Sequence, residues 1–194
     1  MESTEKELLQ KIKRDPSAFG LLFDAYYQPI LSYVFRRTLV LETAQDITSE
    51  VFLKAFLNIR SFTWKGISVS HWLYRIASNE VNLFFRKSKK YTPNEISSLY
   101  DASYIRHITV DTEKEKEKIE EELKQNELFV GVQKRLAQLP VKYQEVISLK
   151  YFEQLTVREI ALILNKREGT IKSLLSRGIS KLRLPDTVQP KNDS

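Results

Sequence analysis

The strongest constraint on the fold lies in residues 139–183, where two short amphipathic helices are predicted with almost no chain between them. Thr156 followed three residues later by Glu159 is a capping box, which predicts a helix that starts at Val157. Residues 165–167, Asn-Lys-Arg, are too few for a loop between separate elements, and asparagine tolerates the left-handed backbone of a tight turn. The sequence therefore predicts a helix-turn-helix, with a supporting helix before it.

The second helix of this motif has two chemically different faces. Its apolar positions Ile171, Leu175 and Leu182 fall on one side. The residues on or near the other side, which we predict to contact DNA, are Arg167, Glu168, Thr170, Lys172, Ser173 and Arg177. One face can pack on the first helix while the other offers hydrogen-bond donors to bases and phosphates in a major groove. The alternative is an ordinary helical pair in an all-α core, with a basic solvated face.

Charge favours nucleic-acid binding over that alternative. Residues 157–183 contain seven Lys or Arg against two Glu, a local net charge of +5, as expected of a surface that follows phosphates. Residues 1–90 carry a net charge of +5, residues 91–125 carry −4 and residues 126–194 carry +5. We therefore predict an all-α protein with two small helical domains, 1–90 and 126–185, a flexible acidic linker at 91–125 and a disordered tail at 186–194.

Composition excludes several kinds of chemistry. The chain has no cysteine, and its two histidines, His71 and His107, have no second ligand-type residue at metal spacing. None of the five glycines forms a phosphate-binding loop. We therefore expect no catalytic residues, metal or cofactor. The polar N-terminus does not resemble a secretory signal and no apolar run approaches a membrane span, so we expect a cytoplasmic location.

A second informative region begins near residue 43. Thr43 followed by Asp46 predicts a helix start, and the helix period predicts these buried positions: Ile47, Val51, Phe52, Ala55, Phe56 and Ile59. Asp46, Glu50 and Lys54 lie four residues apart on the opposite face, close to Leu53 and Leu57. Exposure to solvent is sufficient to explain the charges. The nearby leucines allow a second interpretation, in which a partner helix packs against this face.

Residues 61–90 combine aromatic and basic side chains. Residues 61–70 are predicted to form an ordered loop that holds Phe62, Trp64 and Lys65, and a helix with a basic side and end follows. Aromatic rings beside cations suit single-stranded DNA, because bases stack on the rings and the cations neutralise the backbone. Structural packing is the alternative: we expect Trp72 to fill the core, Phe62 can do so, and Trp64 is the more exposed candidate.

These segments together resemble an extracytoplasmic-function sigma factor, a small bacterial RNA polymerase specificity subunit. Three blocks carry the resemblance, namely DITSEVFLKAF at residues 46–56, HWLYRIASN at 71–79, and the helix-turn-helix with YFEQLTVREIA and REGTIKSLLSR. Their order and the acidic segment between them make the resemblance specific. It implies a non-enzymatic protein that binds core RNA polymerase and promoter DNA, both duplex and melted, and that initiates transcription in a stress or envelope response.

The resemblance also implies residue roles. It implies that Asp46, Ser49, Glu50, Leu53 and Lys54 bind core polymerase. It assigns an unstacked base of the minus-ten element to the loop of residues 62–70 with Asn79, and the minus-thirty-five element to residues 167–177. From this loop and the basic helix that follows it, we predict these contacts to the minus-ten element: Phe62, Trp64, Lys65, Arg75, Asn79, Arg86 and Lys87. An anti-sigma factor is a further expected partner.

Two other functions compete with this interpretation. A helix-turn-helix regulator that is not a polymerase subunit would bind duplex DNA unaided and would not need the loop and basic helix of residues 61–90. A helical nuclease or nucleotide hydrolase would need a carboxylate cluster at metal spacing or a phosphate loop, and the sequence contains neither.

Overall fold

The computed structural model describes residues 2–62, 68–87 and 131–183, and its regular secondary structure in these ranges is helical throughout. The described parts of the chain form an N-terminal unit, residues 2–87, and a C-terminal unit, residues 131–183. The N-terminal helices are α1 (Glu2–Arg14), α2 (Phe19–Thr38), α3 (Leu41–Asn58) and α4 (Val69–Lys87), with a 3-10 turn at Pro16–Ala18. The predicted linker, 91–125, and tail, 186–194, lie outside the described residues.

The C-terminal unit contains the predicted helix-turn-helix. Its elements are α5 (residues 131–138), α6 (Val141–Ile147), a π-helical turn (Ser148–Phe152), α7 (Val157–Leu164) and α8 (Glu168–Arg183). The all-α prediction is confirmed. The π-helical turn was not predicted, because the apolar pattern of residues 146–152 is compatible with both kinds of backbone hydrogen bond, i→i+5 in a π-helix and i→i+4 in an α-helix.

The junctions between helices are set by local backbone chemistry. The Asp15 side chain accepts a hydrogen bond from the Ser17 amide at 2.9 Å, and this cap opens the short turn that separates α1 from α2. At the end of α2, Leu39 adopts the left-handed conformation, with φ of 59°. Val40 is then extended, and its carbonyl accepts from the Ala44 amide at 2.9 Å. α3 therefore begins at Leu41, and the predicted start at Thr43 is wrong.

The core of the N-terminal unit lies between α2, α3 and α4. Six positions in α3 or directly after it were predicted to be buried, and five of them lie in this core, namely Ile47, Val51, Phe52, Ala55 and Ile59. The prediction is wrong for Phe56, whose side chain is 44% exposed. Phe56 lies near the end of α3, where its ring meets the Phe19 ring at 5.1 Å, and α2 begins at that same Phe19.

Local signals in the C-terminal unit were correctly interpreted. The Thr156 hydroxyl accepts from the Glu159 amide at 3.2 Å, and the Glu159 carboxylate accepts from the Thr156 amide at 2.7 Å, which completes the capping box. Asn165 ends α7 in the left-handed conformation, with φ of 51°. Three residues later α8 begins, and its Ile171 and Leu175 side chains are buried against the rest of the unit.

The two units pack against each other in this structure. α4 lies against α6 and α7, and α2 lies against the π-helical turn. No helix in the described ranges has both the length and the apolar character needed to cross a bilayer.

Candidate nucleic-acid interface

The second helix of the helix-turn-helix, α8, and the residue before it present to solvent the side chains that were predicted to contact DNA. All six of these side chains are exposed: Arg167, Glu168, Thr170, Lys172, Ser173 and Arg177. The opposite face is fixed by Ile171 and Leu175, which are buried, and by Gly178, where α8 approaches α6. A Cβ atom at Gly178 would lie 2.8 Å from Ile147 Cδ1 and 3.2 Å from Tyr143 Cβ, so the small residue permits this close packing. The helix is held by one face and leaves a basic, polar face open.

The charged face of α3 lies on the surface of the N-terminal unit. Asp46, Ser49, Glu50 and Leu53 are exposed, while Lys54 is half-buried. Lys54 Nζ lies 2.6 Å from Glu80 Oε2 on α4 and 3.2 Å from Glu50 Oε1, and the hydrogen bond with Glu80 is the main reason that its pKa is raised. Of the five residues predicted to bind polymerase, Lys54 and Glu50 are thus already paired within the unit.

An apolar patch adjoins this charged face. Leu53 is 51% exposed and Leu57 is 68% exposed. Phe23 of α2 is also exposed, and its ring meets the buried Phe52 ring at 4.9 Å. Exposed apolar side chains beside charges are typical of a protein-binding surface.

The residues predicted to contact the minus-ten element divide into three groups. Asn79, Arg86 and Lys87 are exposed on α4. Phe62 is half-buried and its ring lies 4.7 Å from the Trp72 ring, so both aromatics contribute to packing. Packing was the expected role of Trp72 and the alternative role of Phe62. Trp64 and Lys65 lie outside the described residues.

Arg75, the remaining member of that set, contacts the C-terminal unit. Its Nε donates to the Ile163 carbonyl at 3.0 Å, and its Nη2 donates to the Leu162 carbonyl. These carbonyls belong to the last turn of α7, where a helix leaves carbonyl groups without intrahelical partners and where the helix dipole attracts a cation. Arg75 therefore caps the first helix of the helix-turn-helix.

A second contact between the units centres on Glu153. Its carboxylate accepts from Arg36 Nη1 at 2.6 Å and from the Tyr74 hydroxyl. The Arg36 guanidinium also lies 4.9 Å from the centre of the Phe152 ring. Burial raises the pKa of Glu153, although the Tyr74 and Arg36 hydrogen bonds act in the opposite direction. An acid from the C-terminal unit is thus enclosed by two residues of the N-terminal unit.

Two further polar contacts complete this interface. Asn82 accepts from Arg37 Nη2 at 2.7 Å and donates to Glu145 Oε1 at 2.9 Å, where Arg37 and Glu145 are both buried. His71 Nε2 lies 3.5 Å from Glu159 Oε1. These pairings were not predicted from the sequence. The one local feature that suggests a buried acid is the position of Glu153 directly after two aromatic residues.

The described residues contain no group of three His, Asp or Glu side chains placed to hold a metal ion.

Two family models match the chain, one on each unit. The model described as Sigma-70 region 2 matches residues 22–91, and the model described as Sigma-70, region 4 matches residues 130–182.

Other proteins are similar to this chain, some in sequence and some in fold. The chain is 33% identical to the ECF RNA polymerase sigma factor SigW of Bacillus subtilis over 186 residues, which cover 94% of this chain and 97% of that protein. It is 30% identical to the ECF RNA polymerase sigma factor BldN of Streptomyces coelicolor over 194 residues, which cover 97% of this chain and 70% of that protein. The fold is similar to CnrH in its complex with the cytosolic domain of CnrY, with a TM-score of 0.62, 18% identity and coverage of 92% and 94% of the two chains.

Proposed function

The chain belongs to the extracytoplasmic-function sigma factors of RNA polymerase, and from this membership we propose that it binds core polymerase and directs promoter-specific transcription initiation. The observation that carries the proposal is the order of the two family matches. Sigma-70 region 2 falls on the N-terminal unit and region 4 falls on the helix-turn-helix unit, as two-site promoter recognition requires.

Polymerase binding is assigned to the α3 face. The exposed acids Asp46 and Glu50 beside exposed Leu53 combine charge with an apolar anchor, a combination suited to a specific but reversible protein interface. Lys54 takes part by positioning Glu50, because the two side chains already form an ion pair within the helix.

DNA recognition is divided between the units. The exposed face of α8 is the proposed reader of the minus-thirty-five duplex, because its donors and cations project from a helix that is anchored on its other side. Asn79, Arg86 and Lys87 on α4, with Trp64 and Lys65 before that helix, are the proposed contacts to the melted minus-ten strand. Phe62 supports them by packing on Trp72, and Arg75 joins them when it is released from α7.

The protein supplies binding energy in this mechanism and performs no catalysis of its own. Melting would be driven by protein contacts to the unpaired bases, which replace the stacking and pairing that these bases lose. Because such contacts form only with the open strand, they stabilise the melted state. The cytoplasm, where polymerase and DNA are found, is the proposed site of action. An anti-sigma factor that covers the polymerase and DNA surfaces is a proposed regulatory partner, and a stress or envelope response is the proposed setting.

Run-off transcription on genomic DNA tests the proposal. The purified protein is combined with core polymerase, and transcript starts are mapped. We expect a defined set of starts that share two upstream elements and that disappear when the protein is omitted. Starts that do not depend on the protein would overturn the proposal, and binding to duplex DNA without polymerase would favour a helix-turn-helix regulator.

A further inference from the structure

A single ammonium group connects the proposed polymerase surface with the helix that is proposed to meet the melted minus-ten strand. Lys54 lies on α3, where its Nζ is 3.2 Å from Oε1 of Glu50, an exposed acid of the α3 face. The same Nζ lies 2.6 Å from Glu80 Oε2 on α4. The hydrogen bond with Glu80 is also the first cause of the raised pKa of Lys54. The closer of the two carboxylates is therefore the one on α4.

Glu80 occupies a position where a negative charge opposes DNA binding. It directly follows Asn79, which is exposed and is a proposed contact to the melted strand. Lys87, another proposed contact, follows Glu80 by seven residues, so these two residues share a side of α4, two turns apart. Consecutive Cα atoms are about 3.8 Å apart, and charges act over about 8 Å at physiological salt. A phosphate beside Asn79 therefore lies within the electrostatic range of Glu80.

Holding α3 on α4 is the ordinary role of such an ion pair, but apolar packing already joins these helices. Val51 and Ala55 of α3 are buried in one cluster with Leu73 and Ala77 of α4. The Lys54 side chain is 37% exposed, and an ion pair with a partly exposed member contributes little to stability.

The ion pair has a larger effect on local charge. The Glu80 side chain is only 13% exposed, so water would do little to compensate this acid if its cation were removed. With Lys54 in place, the charges of the pair cancel. The exposed cations of α4, Arg86 and Lys87, then determine the sign of the potential on its DNA-facing side.

We infer that Lys54 is a positioning residue for the melted minus-ten strand, which it serves by neutralising Glu80 beside Asn79. The inference rests on the proposed function, because the melted strand is met by the protein in its complex with polymerase. Lys54 acts through Glu80 rather than through a DNA contact of its own, since its Nζ lies between two carboxylates of its own unit.

Binding of single-stranded DNA by the complex of this protein with core polymerase tests the inference. The probe is a fluorescent oligonucleotide with the non-template minus-ten strand of a promoter identified by run-off transcription. Each complex is isolated before the titration, so that differences in polymerase affinity do not enter the Kd for the strand. A wild-type protein that forms no complex, or a wild-type complex that does not bind the strand, would overturn the proposed function and the inference with it.

Lys54→Met removes the charge and keeps the apolar part of the side chain. It should raise the Kd for the strand about fivefold at low salt, and the defect should shrink at high salt, because salt screens the repulsion by Glu80. Adding Glu80→Gln to this variant should restore wild-type binding, because the uncompensated acid is gone. Lys142→Met removes an exposed cation from α6, with the same change in net charge, and should bind the strand as the wild type does.

Glu80→Gln alone provides a test that does not alter the α3 face. Lys54 then keeps its charge and loses the acid that compensates it, so the strand should bind roughly twofold more tightly. Circular dichroism of each variant reports whether the helices are retained. Unchanged binding in Lys54→Met, a defect that Glu80→Gln does not repair, or a defect of equal size at low and high salt would overturn the inference. Unchanged or weaker binding in Glu80→Gln alone would also overturn it, including where Lys54→Met forms no complex with polymerase.

Discussion

Arg36 and Glu153, which are 117 residues apart in the sequence, form an ion pair of 2.6 Å in which both side chains are largely shielded from water. The pair connects the unit matched by Sigma-70 region 2 to the unit matched by region 4. The pair therefore adds a polar contact beside the apolar cluster to which both units contribute.

The α3 face can be tested by reversing charge. Asp46→Lys combined with Glu50→Lys should weaken pull-down of core polymerase by tenfold or more, about 1.4 kcal/mol, because two exposed acids next to Leu53 change sign. Asp24→Lys, an exposed substitution of the same type on α2, should bind normally. If the double variant with normal helical content binds polymerase as tightly as the wild type, the surface lies elsewhere.

Salt dependence tests the recognition helix. Lys172→Ala and Arg177→Ala should each weaken binding of the polymerase complex to promoter DNA, and a residue that contacts a phosphate should also reduce the salt slope by about one unit. Arg135→Ala removes an exposed cation from α5 and controls for net charge. Transcription and salt slopes that match the wild type in both α8 variants would place the DNA on another face.

Helix packing around α8 predicts opposite results at two glycines. Gly169→Ala, where a Cβ atom has open space, should gain up to about 1 kcal/mol in unfolding free energy from helix propensity. Gly178→Ala should lose about 1–3 kcal/mol, because its Cβ would crowd Ile147 and Tyr143. Denaturant unfolding of both variants measures the difference. Equal stability of the two would show that α6 yields to the added methyl group.

The capping box predicts a pKa and its consequence for stability. Hydrogen bonds from Thr156 hold the pKa of Glu159 below its ordinary value of 4.5. Since a lowered acid pKa favours the folded state, the contribution is complete above 4.5 and is lost as the pH falls through the lowered pKa. Thr156→Ala should raise this pKa and cost about 1 kcal/mol of stability, whereas Thr156→Ser should preserve both. An NMR titration of Glu159 with the same midpoint in wild type and Thr156→Ala would contradict the assignment.

Local chemistry explains which parts of the fold could be predicted. The capping box, the left-handed Asn165 and the apolar period of α8 each depend on neighbours within a few residues, and each was predicted correctly. The start of α3 was misplaced because the left-handed Leu39 moved the first turn ahead of Thr43. Phe56 fits the helical period of the buried positions in α3, but it lies beside Phe19, the first residue of α2. Its exposure therefore depends on where another helix begins.

Contacts between the units could not be predicted from the sequence. Arg75 was assigned to DNA from its place on a basic helix, yet it donates to carbonyls 87 and 88 residues away. The side-chain chemistry is the same in both roles, because a guanidinium recognises phosphate and carbonyl oxygens alike. Which acceptor it meets depends on the packing of α4 against α7, and that packing has no periodic signal.

Footprinting on a promoter identified by run-off transcription tests the central claim most directly, because it reports both elements and strand opening in one experiment. With core polymerase present, we predict protection of the minus-thirty-five and minus-ten elements, together with permanganate-reactive unpaired thymines in the minus-ten element. With this protein alone or polymerase alone, we predict neither the two-element protection nor the reactive thymines. Protection of a single duplex site by this protein alone, unchanged by polymerase and without reactive thymines, would contradict the account.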